Sequence, residues 1–167
     1  MSRLIILRGN SGSGKTTVAR ALQQRLGPNT LLISHDMVRM EMLHVRGEEG
    51  VRRSLPLMAE LLRYGRRNSQ YTILEGILPF EPYRELFETA LREFGSGIFA
   101  YYYDIPFEET LRRHATRPQS TEFGEEAMRR WWRERDYSDI LEETPIGREM
   151  KREEIVETIF RAVRKNA

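Results

Sequence analysis

The stretch GNSGSGKTT, from Gly9 to Thr17, follows the apolar run LIIL and constrains the fold more than any other part of the chain. Gly9, Gly14, Lys15 and Thr16 fit G-x-x-x-x-G-K-[ST] without a gap, between a predicted strand and a predicted helix. Glycines let such a loop turn its successive N–H groups inward, and the following helix adds the positive end of its dipole. The nine residues Gly9, Asn10, Ser11, Gly12, Ser13, Gly14, Lys15, Thr16 and Thr17 are therefore expected to cradle the phosphates of a nucleoside triphosphate. Lys15 is expected to bridge the β- and γ-phosphates, and the Thr16 hydroxyl to ligate Mg²⁺.

Along the rest of the chain, short apolar runs alternate with longer amphipathic ones. That order belongs to strands and helices wound into a mostly parallel sheet, an α/β fold. Strands are expected at Arg3–Leu7, Thr30–Ser34, Tyr71–Leu74, Gly97–Tyr103 and Glu143–Ile146. Helices are expected at Lys15–Leu26, Val51–Arg67, Pro82–Glu93 and Glu153–Val163. In the second of these, Val51, Leu55, Met58 and Leu62 form a narrow apolar stripe. Pro106–Tyr137 differs: it reads as helix, break at Pro118–Phe123, helix, with more arginine than a packed element requires. It is expected to form a mobile lid over the sheet's carboxyl edge. No linker composition divides the 167 residues, which read as one domain.

Composition removes several function classes. With 27 basic and 25 acidic side chains the net charge is only +2, so a polycationic nucleic-acid binder is not implied. There is no cysteine, hence no disulfide and no thiolate chemistry. His35, His44 and His114 are scattered without metal-ligand spacing. No run is apolar enough for a signal segment or a membrane span, which makes a soluble, cytoplasmic protein the expectation.

A phosphate cradle names the donor and leaves the reaction open. No N/T-K-x-D base-reading element occurs, as GTPases would carry, and the third strand ends in the acid Glu75. Asp36, in ISHDMVR after the second strand, belongs at the sheet's carboxyl edge. A hydroxyl acceptor gains from a carboxylate that orients it and takes its proton, whereas an ionised phosphate acceptor would be repelled. Asp36 alternatively caps the helix that runs on through Met40 and Leu43. Arg39, one turn on, either binds an acceptor anion or pairs with Asp36. Glu75 either holds a magnesium-bound water or a substrate hydroxyl, or is a solvated strand-end acid.

In the lid, Arg113 and Arg117 lie four apart and are expected to share a helix face. Arginines delivered on closure stabilise charge on a transferring phosphoryl group; the competing account pairs them with Glu108 and Glu109. Arg129 and Arg133 form a second such pair. Trp131 and Trp132 diverge by about 100°, so one is expected in the core. Tyr101, Tyr102 and Tyr103 should alternate between core and helix-packing surfaces. His35 and His114 read as structural.

With these residues in hand, the chain resembles the small P-loop kinases grouped with zeta toxins, chloramphenicol phosphotransferase and the kinase half of polynucleotide kinase, particularly bacterial AAA-type members of that group. The resemblance runs through ILRGNSGSGKTTVARAL, ISHDMVR, ILEGIL and YYYDIPFEETLRRHATRP. It implies a P-loop NTPase fold, a three-layer α/β/α sandwich around a five-stranded parallel sheet of order 2-3-1-4-5, with ATP and Mg²⁺ as cofactors. It also maps Lys15 and Thr16 onto the P-loop lysine and metal-ligand hydroxyl, Asp36 onto the general base, and Arg113 and Arg117 onto the lid arginines. Ile77 is a departure, standing where zeta toxins tend to have the threonine of Glu-Gly-Thr.

The expected function is ATP-dependent transfer of the γ-phosphate to a hydroxyl of a small molecule or nucleoside, with Asp36, Arg39 and Glu75 on the acceptor side. Two alternatives stay open. One is a 5′-hydroxyl polynucleotide kinase, for which Arg52–Arg53 and Arg66–Arg67 offer local cations. The other is a nucleotide-operated switch with no acceptor.

Overall fold

A computed structural model describes residues 1–117 and 121–165. Five strands, β1 (Arg3–Gly9), β2 (Thr30–Ser34), β3 (Tyr71–Gly76), β4 (Ile98–Tyr103) and β5 (Glu143–Ile146), form one sheet in the order β2-β3-β1-β4-β5. Every pairing is parallel. All seven residues of β1 and all six of β3 are buried, as central strands covered on both faces must be.

Among the described residues the chain forms six α-helices, α1 (Lys15–Leu26), α2 (Gly47–Asn68), α3 (Arg84–Phe94), α4 (Phe107–Ala115), α5 (Glu125–Trp131) and α6 (Arg152–Lys165), of which α1, α2, α3 and α6 flank the sheet. Strand alternation assigns them to two layers. Leu4, Ile6, Ile33 and Leu74 point to one face, where Met58 and Leu62 of α2 and Leu86 and Phe87 of α3 cover them. Ile5, Leu7, Ile73, Tyr101 and Tyr103 point to the other, under Val18 and Leu22 of α1 and Ile155 and Ile159 of α6. Tyr101 and Tyr103 thus share a face, and Tyr102 opposes them against Tyr137.

The expected strands and helices are all present, α1, β2 and β5 with the expected ends and the others with displaced ones. Strand β1 runs two residues past Leu7 because Arg8 is fully buried within it. Helix α2 begins at Gly47, with Glu48 and Glu49 in its first turn complementing the dipole. Of the expected break in the lid, Pro118–Ser120 lies outside the described residues. No helix among the described residues is long and apolar enough to cross a membrane.

The strand order decides what meets at the carboxyl edge. Leu7 of β1 and Ser34 of β2 both stand level with Glu75 of β3, and Gly9 stands level with Tyr103 of β4. The loop after β1, Asp36 after β2, and Glu75 therefore open onto one edge.

Candidate functional site

The loop between β1 and α1 is built by close approach. At Gly12 (φ 80°) a Cβ would lie 2.7 Å from the Thr110 carbonyl oxygen of α4 and 3.1 Å from the Met128 methyl of α5. At Gly9 a Cβ would lie 2.8 Å from Tyr103 Cβ. Gly14 (φ 100°) precedes α1 and places no side-chain cap on it, so the N–H groups of Lys15, Thr16 and Thr17 remain open to an anion. Thr17 also opens onto a groove of about 440 Å³ between α1 and α6, lined by Arg20, Gln24, Arg25 and Arg152.

Lys15 folds back into this loop. Its Nζ donates to Asn10 O at 2.8 Å and to Ser13 Oγ at 3.1 Å, and only 6% of the residue is exposed. Burial lowers its pKa to about 8, against the raising fields of Glu75 and Asp36, while Arg117 lowers it further. Two carboxylates and a second cation thus lie within electrostatic reach of one ammonium group. On those terms a polyanion replaces poor neutral partners with strong charged ones.

Thr16 Oγ1 lies 3.2 and 3.3 Å from the two carboxylate oxygens of Glu75, which is 3% exposed. Glu75 is therefore no solvated strand-end acid. A hydroxyl and a carboxylate at the mouth of a phosphate cradle are hard oxygen donors that suit Mg²⁺, an ion that keeps waters and takes its remaining ligands from phosphate. Among the described residues there is no group of three or more His, Cys, Asp or Glu that could hold a metal ion.

Asp36 is not a helix cap. The segment Met37–Met42 winds as a π-helical turn, closed by Leu43 N donating to Val38 O at 3.1 Å. Asp36 already has helical angles, φ −66° and ψ −41°, instead of the extended backbone that capping needs, and its side chain makes no cap bond. The carboxylate instead accepts from Arg39 Nη2 at 2.9 Å, with 71% of the Asp36 side chain exposed. Beneath it, His35 Nε2 lies 2.6 Å from Tyr83 Oη, which lies 2.9 Å from Ser54 Oγ. Burial and the Arg39 charge depress His35 to a pKa of about 3, so this buried bridge among β2, α2 and the start of α3 stays neutral.

The lid arginines need two corrections. Helix α4 ends at Ala115, where Thr116 N turns to Arg113 O and Arg117 N to His114 O in a tightened last turn, so Arg117 lies past the helix and shares no helical face with Arg113. The two still approach the same centre. Arg113 Nη1 donates to Ser13 O at 2.8 Å in the cradle, and Nε to Glu109 Oε1 at 3.0 Å. Burial and the Arg113 charge lower the Arg117 pKa, with Glu75 opposing. The expected carboxylate pairing and the expected cradle contact thus coexist in Arg113.

Arg129 and Arg133 do not form a second pair, because α5 ends at Trp131. Arg129 pairs with Glu125 and lies over the Phe107 ring. Neither tryptophan is core: Trp131 is 46% exposed against Phe123, and Trp132 is half-buried against Phe107. A seven-residue helix packed edge-on by two phenylalanines has no interior to offer them. Of the other cations named from the sequence, Arg52 and Arg53 pair with Glu49, and Arg66 Nε donates to Glu93 O at 2.7 Å.

Two side-chain roles at β1 and its loop escaped the sequence reading, that of Arg8 and that of Asn10, which was expected only as part of the cradle. Arg8 and Asn10 flank Gly9, and both hold the chain just past α5. Arg8 Nη2 donates to Asp136 O at 2.6 Å, and Asn10 binds the main chain of Arg133 through both atoms of its amide. Only a charged residue directly after LIIL could have signalled the first; nothing in the sequence signals the second.

Comparison with known proteins bears on the family and the fold. The AAA domain family model AAA_33 matches residues 4–136. A gluconokinase from Sinorhizobium meliloti 1021 is 15% identical at a TM-score of 0.63, covering 99% of this chain and 93% of that one. The Mycobacterium tuberculosis APS kinase CysC, solved with AMPPNP and APS, is 18% identical at 0.65, covering 96% of each chain. A shikimate kinase from Acinetobacter baumannii, in complex with shikimate, is 20% identical at 0.62, covering 99% and 95%. No curated protein matches the chain by sequence. On the family match and the shared sheet order, the chain belongs to the AAA domain family AAA_33 and has the fold of the small P-loop kinases.

Proposed function

We propose that the protein is an ATP-dependent phosphotransferase that moves the γ-phosphate to a hydroxyl of a small molecule or nucleoside. The observation that carries this reading is the charge arrangement around Lys15: a buried ammonium in a backbone cradle, with Glu75, Asp36 and Arg117 each acting on it electrostatically. The cradle and Lys15 hold the β- and γ-phosphates, and Arg113 and Arg117 meet the charge that spreads over the transferring oxygens. Thr16 and Glu75 would hold Mg²⁺, which would supply positive charge against the phosphates. Asp36, exposed and joined to Arg39, orients the acceptor hydroxyl and takes its proton as the O–P bond forms. Arg39 favours an acceptor that also carries an anionic group.

The gluconokinase, APS kinase and shikimate kinase of the same fold act on, or bind, small hydroxylated molecules, which supports this class of acceptor. A 5′-hydroxyl nucleic-acid end is the second reading. It is favoured by exposed Trp131 beside the exposed arginines of α5, and by likeness at a TM-score of 0.56 to part of an RNA repair complex. It is disfavoured by the pairing of Arg52 and Arg53 with Glu49.

Labelled ATP with Mg²⁺, offered beside sugars, hydroxy acids, nucleosides, antibiotics and 5′-hydroxyl oligonucleotides, tests both. Transfer to one class is expected, lost in Lys15→Ala. In Asp36→Asn, turnover should fall by about a hundredfold or more with ATP affinity intact. Undiminished turnover in Asp36→Asn would remove the proton-accepting role, and undiminished turnover in Lys15→Ala would move the site elsewhere.

A further inference from the structure

We infer that Asn10 is a positioning residue for the α4–α5 arm: its side-chain amide clamps the main chain at Arg133, just past α5, and so keeps Arg113 and Arg117 over the phosphate cradle. The inference rests on the phosphotransfer reading for its catalytic consequence, and on geometry alone for the clamp.

Asn10 Nδ2 donates to Arg133 O at 2.7 Å, while Asn10 Oδ1 accepts from Arg133 N at 2.8 Å. Asn10 is 5% exposed, so both bonds are shielded from competing water. An amide side chain gives one hydrogen bond and takes another in a single plane, and asparagine is the shorter of the two available. The cradle presents its backbone to phosphate, which leaves the Asn10 side chain unneeded there and free for this second task.

The arm touches the cradle at three places. On the entry side Arg113 Nη1 reaches Ser13 O, and in the middle Thr110 O and the Met128 methyl close on Gly12. On the exit side the Asn10 clamp is the only one of the three that holds the arm's main chain by directed bonds at both N–H and C=O. It borders a pocket of about 180 Å³ lined by Tyr103, Asp104, Pro106 and Trp132. Three residues on, Asp136 is fixed independently by Arg8 and by Tyr102 Oη, which accepts from Asp136 N at 2.9 Å. Arg133 is therefore where the fixed chain ends and the arm begins.

The same residue also answers to Lys15, whose Nζ donates to the Asn10 carbonyl oxygen. A γ-phosphate that draws the ammonium away removes a charged donor from Asn10, so the state of the cradle and the position of the arm meet in one residue.

Hydrogen exchange read by mass spectrometry on the free protein tests the clamp without any nucleotide. Relative to wild type, Asn10→Ala should exchange about tenfold faster or more in peptides spanning 129–137, with α1 and β3 unchanged. Asn10→Asp keeps the acceptor for Arg133 N–H but loses the donor, and should fall between the two. Wild-type exchange in Asn10→Ala overturns the clamp. The positioning role is read on the transfer found with labelled ATP and the acceptor panel: kcat should drop about tenfold in Asn10→Ala while KM for ATP stays within about threefold. A loss confined to KM overturns that role and makes Asn10 part of the nucleotide grip. If calorimetry shows that wild type takes up no MgATP, the phosphotransfer reading fails and takes the catalytic role with it, while the exchange result still decides the clamp.

Discussion

Lys15 carries the most consequential charge in the molecule. Buried among neutral hydrogen-bond partners, it has a pKa lowered to about 8, against the ordinary lysine value of 10.5. Between those two values the unfolded chain binds the extra proton and the native chain does not, so native stability rises with pH across that window and the buried ammonium is a cost below it. Binding reverses the balance, because phosphate oxygens favour the charged form. At pH 8.5 the free site is mostly deprotonated, and MgATP must bring a proton in with it. Calorimetry in buffers of different ionisation enthalpy should show uptake approaching one proton at pH 8.5 and little at pH 7, with affinity declining above pH 8. Pairing at equal proton count at both pH values would mean that Lys15 is already charged in the free site. His35, held near 3, contributes nothing to this profile above pH 5.

At the scale of elements, the acceptor side depends on how closely β2 and β3 end together. Gly76 closes β3, and a Cβ there would lie 2.3 Å from His35 Cβ, the residue before Asp36. Gly76→Ala must push the start of the π-helical turn away from Glu75, an overpacking cost on the order of 1–3 kcal/mol. Thermal unfolding should register that loss, and turnover should fall further than stability alone accounts for because Asp36 moves with His35. A variant that loses stability but keeps wild-type turnover would uncouple Asp36 from the strand end. Such contacts explain what was legible beforehand. The strands and main helices followed from hydrophobic period, and α1 and β2 began and ended where Gly14, Gly27 and Thr30 mark them. The cradle was read directly, since its motif is a statement about backbone. The arm's helix ends, the fate of both tryptophans and the π-helical turn were not, because each is set by side chains from distant segments meeting a short helix. Asp36 was placed correctly at the edge, but whether it capped a helix depended on a backbone angle that no residue type dictates.

Across the whole molecule, one residue that the sequence barely signals ties several elements together. Arg8 follows LIIL, where a charge ordinarily ends a strand, yet its side chain is 0% exposed. All five of its N–H donors are used. Nε and Nη2 reach the Glu143 carboxylate at 2.7 and 3.2 Å, Nη2 also reaches Asp136 O, and Nη1 reaches Leu78 O at 2.8 Å and Asp136 Oδ2 at 3.4 Å. The guanidinium centre lies 5.2 Å from the Phe87 ring and 5.4 Å from Tyr102. One cation therefore joins β1, the loop after β3, the chain beyond α5 and the first residue of β5, all directly below the phosphate cradle. A buried pair of this kind is costly to break from one side, since Glu143 would be left charged at 1% side-chain exposure. Arg8→Met should cost about 3–5 kcal/mol, which for a chain of this size lowers Tm by roughly 10 °C. Arg8→Met with Glu143→Leu removes both charges, and should recover much of that loss if the stranded carboxylate is its cause. Both variants should still weaken the anchor at Asp136, so their arm peptides should exchange faster than wild type even where Tm is regained. Recovery of Tm together with wild-type exchange in those peptides would show that Arg8 stabilises the sheet alone and leaves the arm to Asn10.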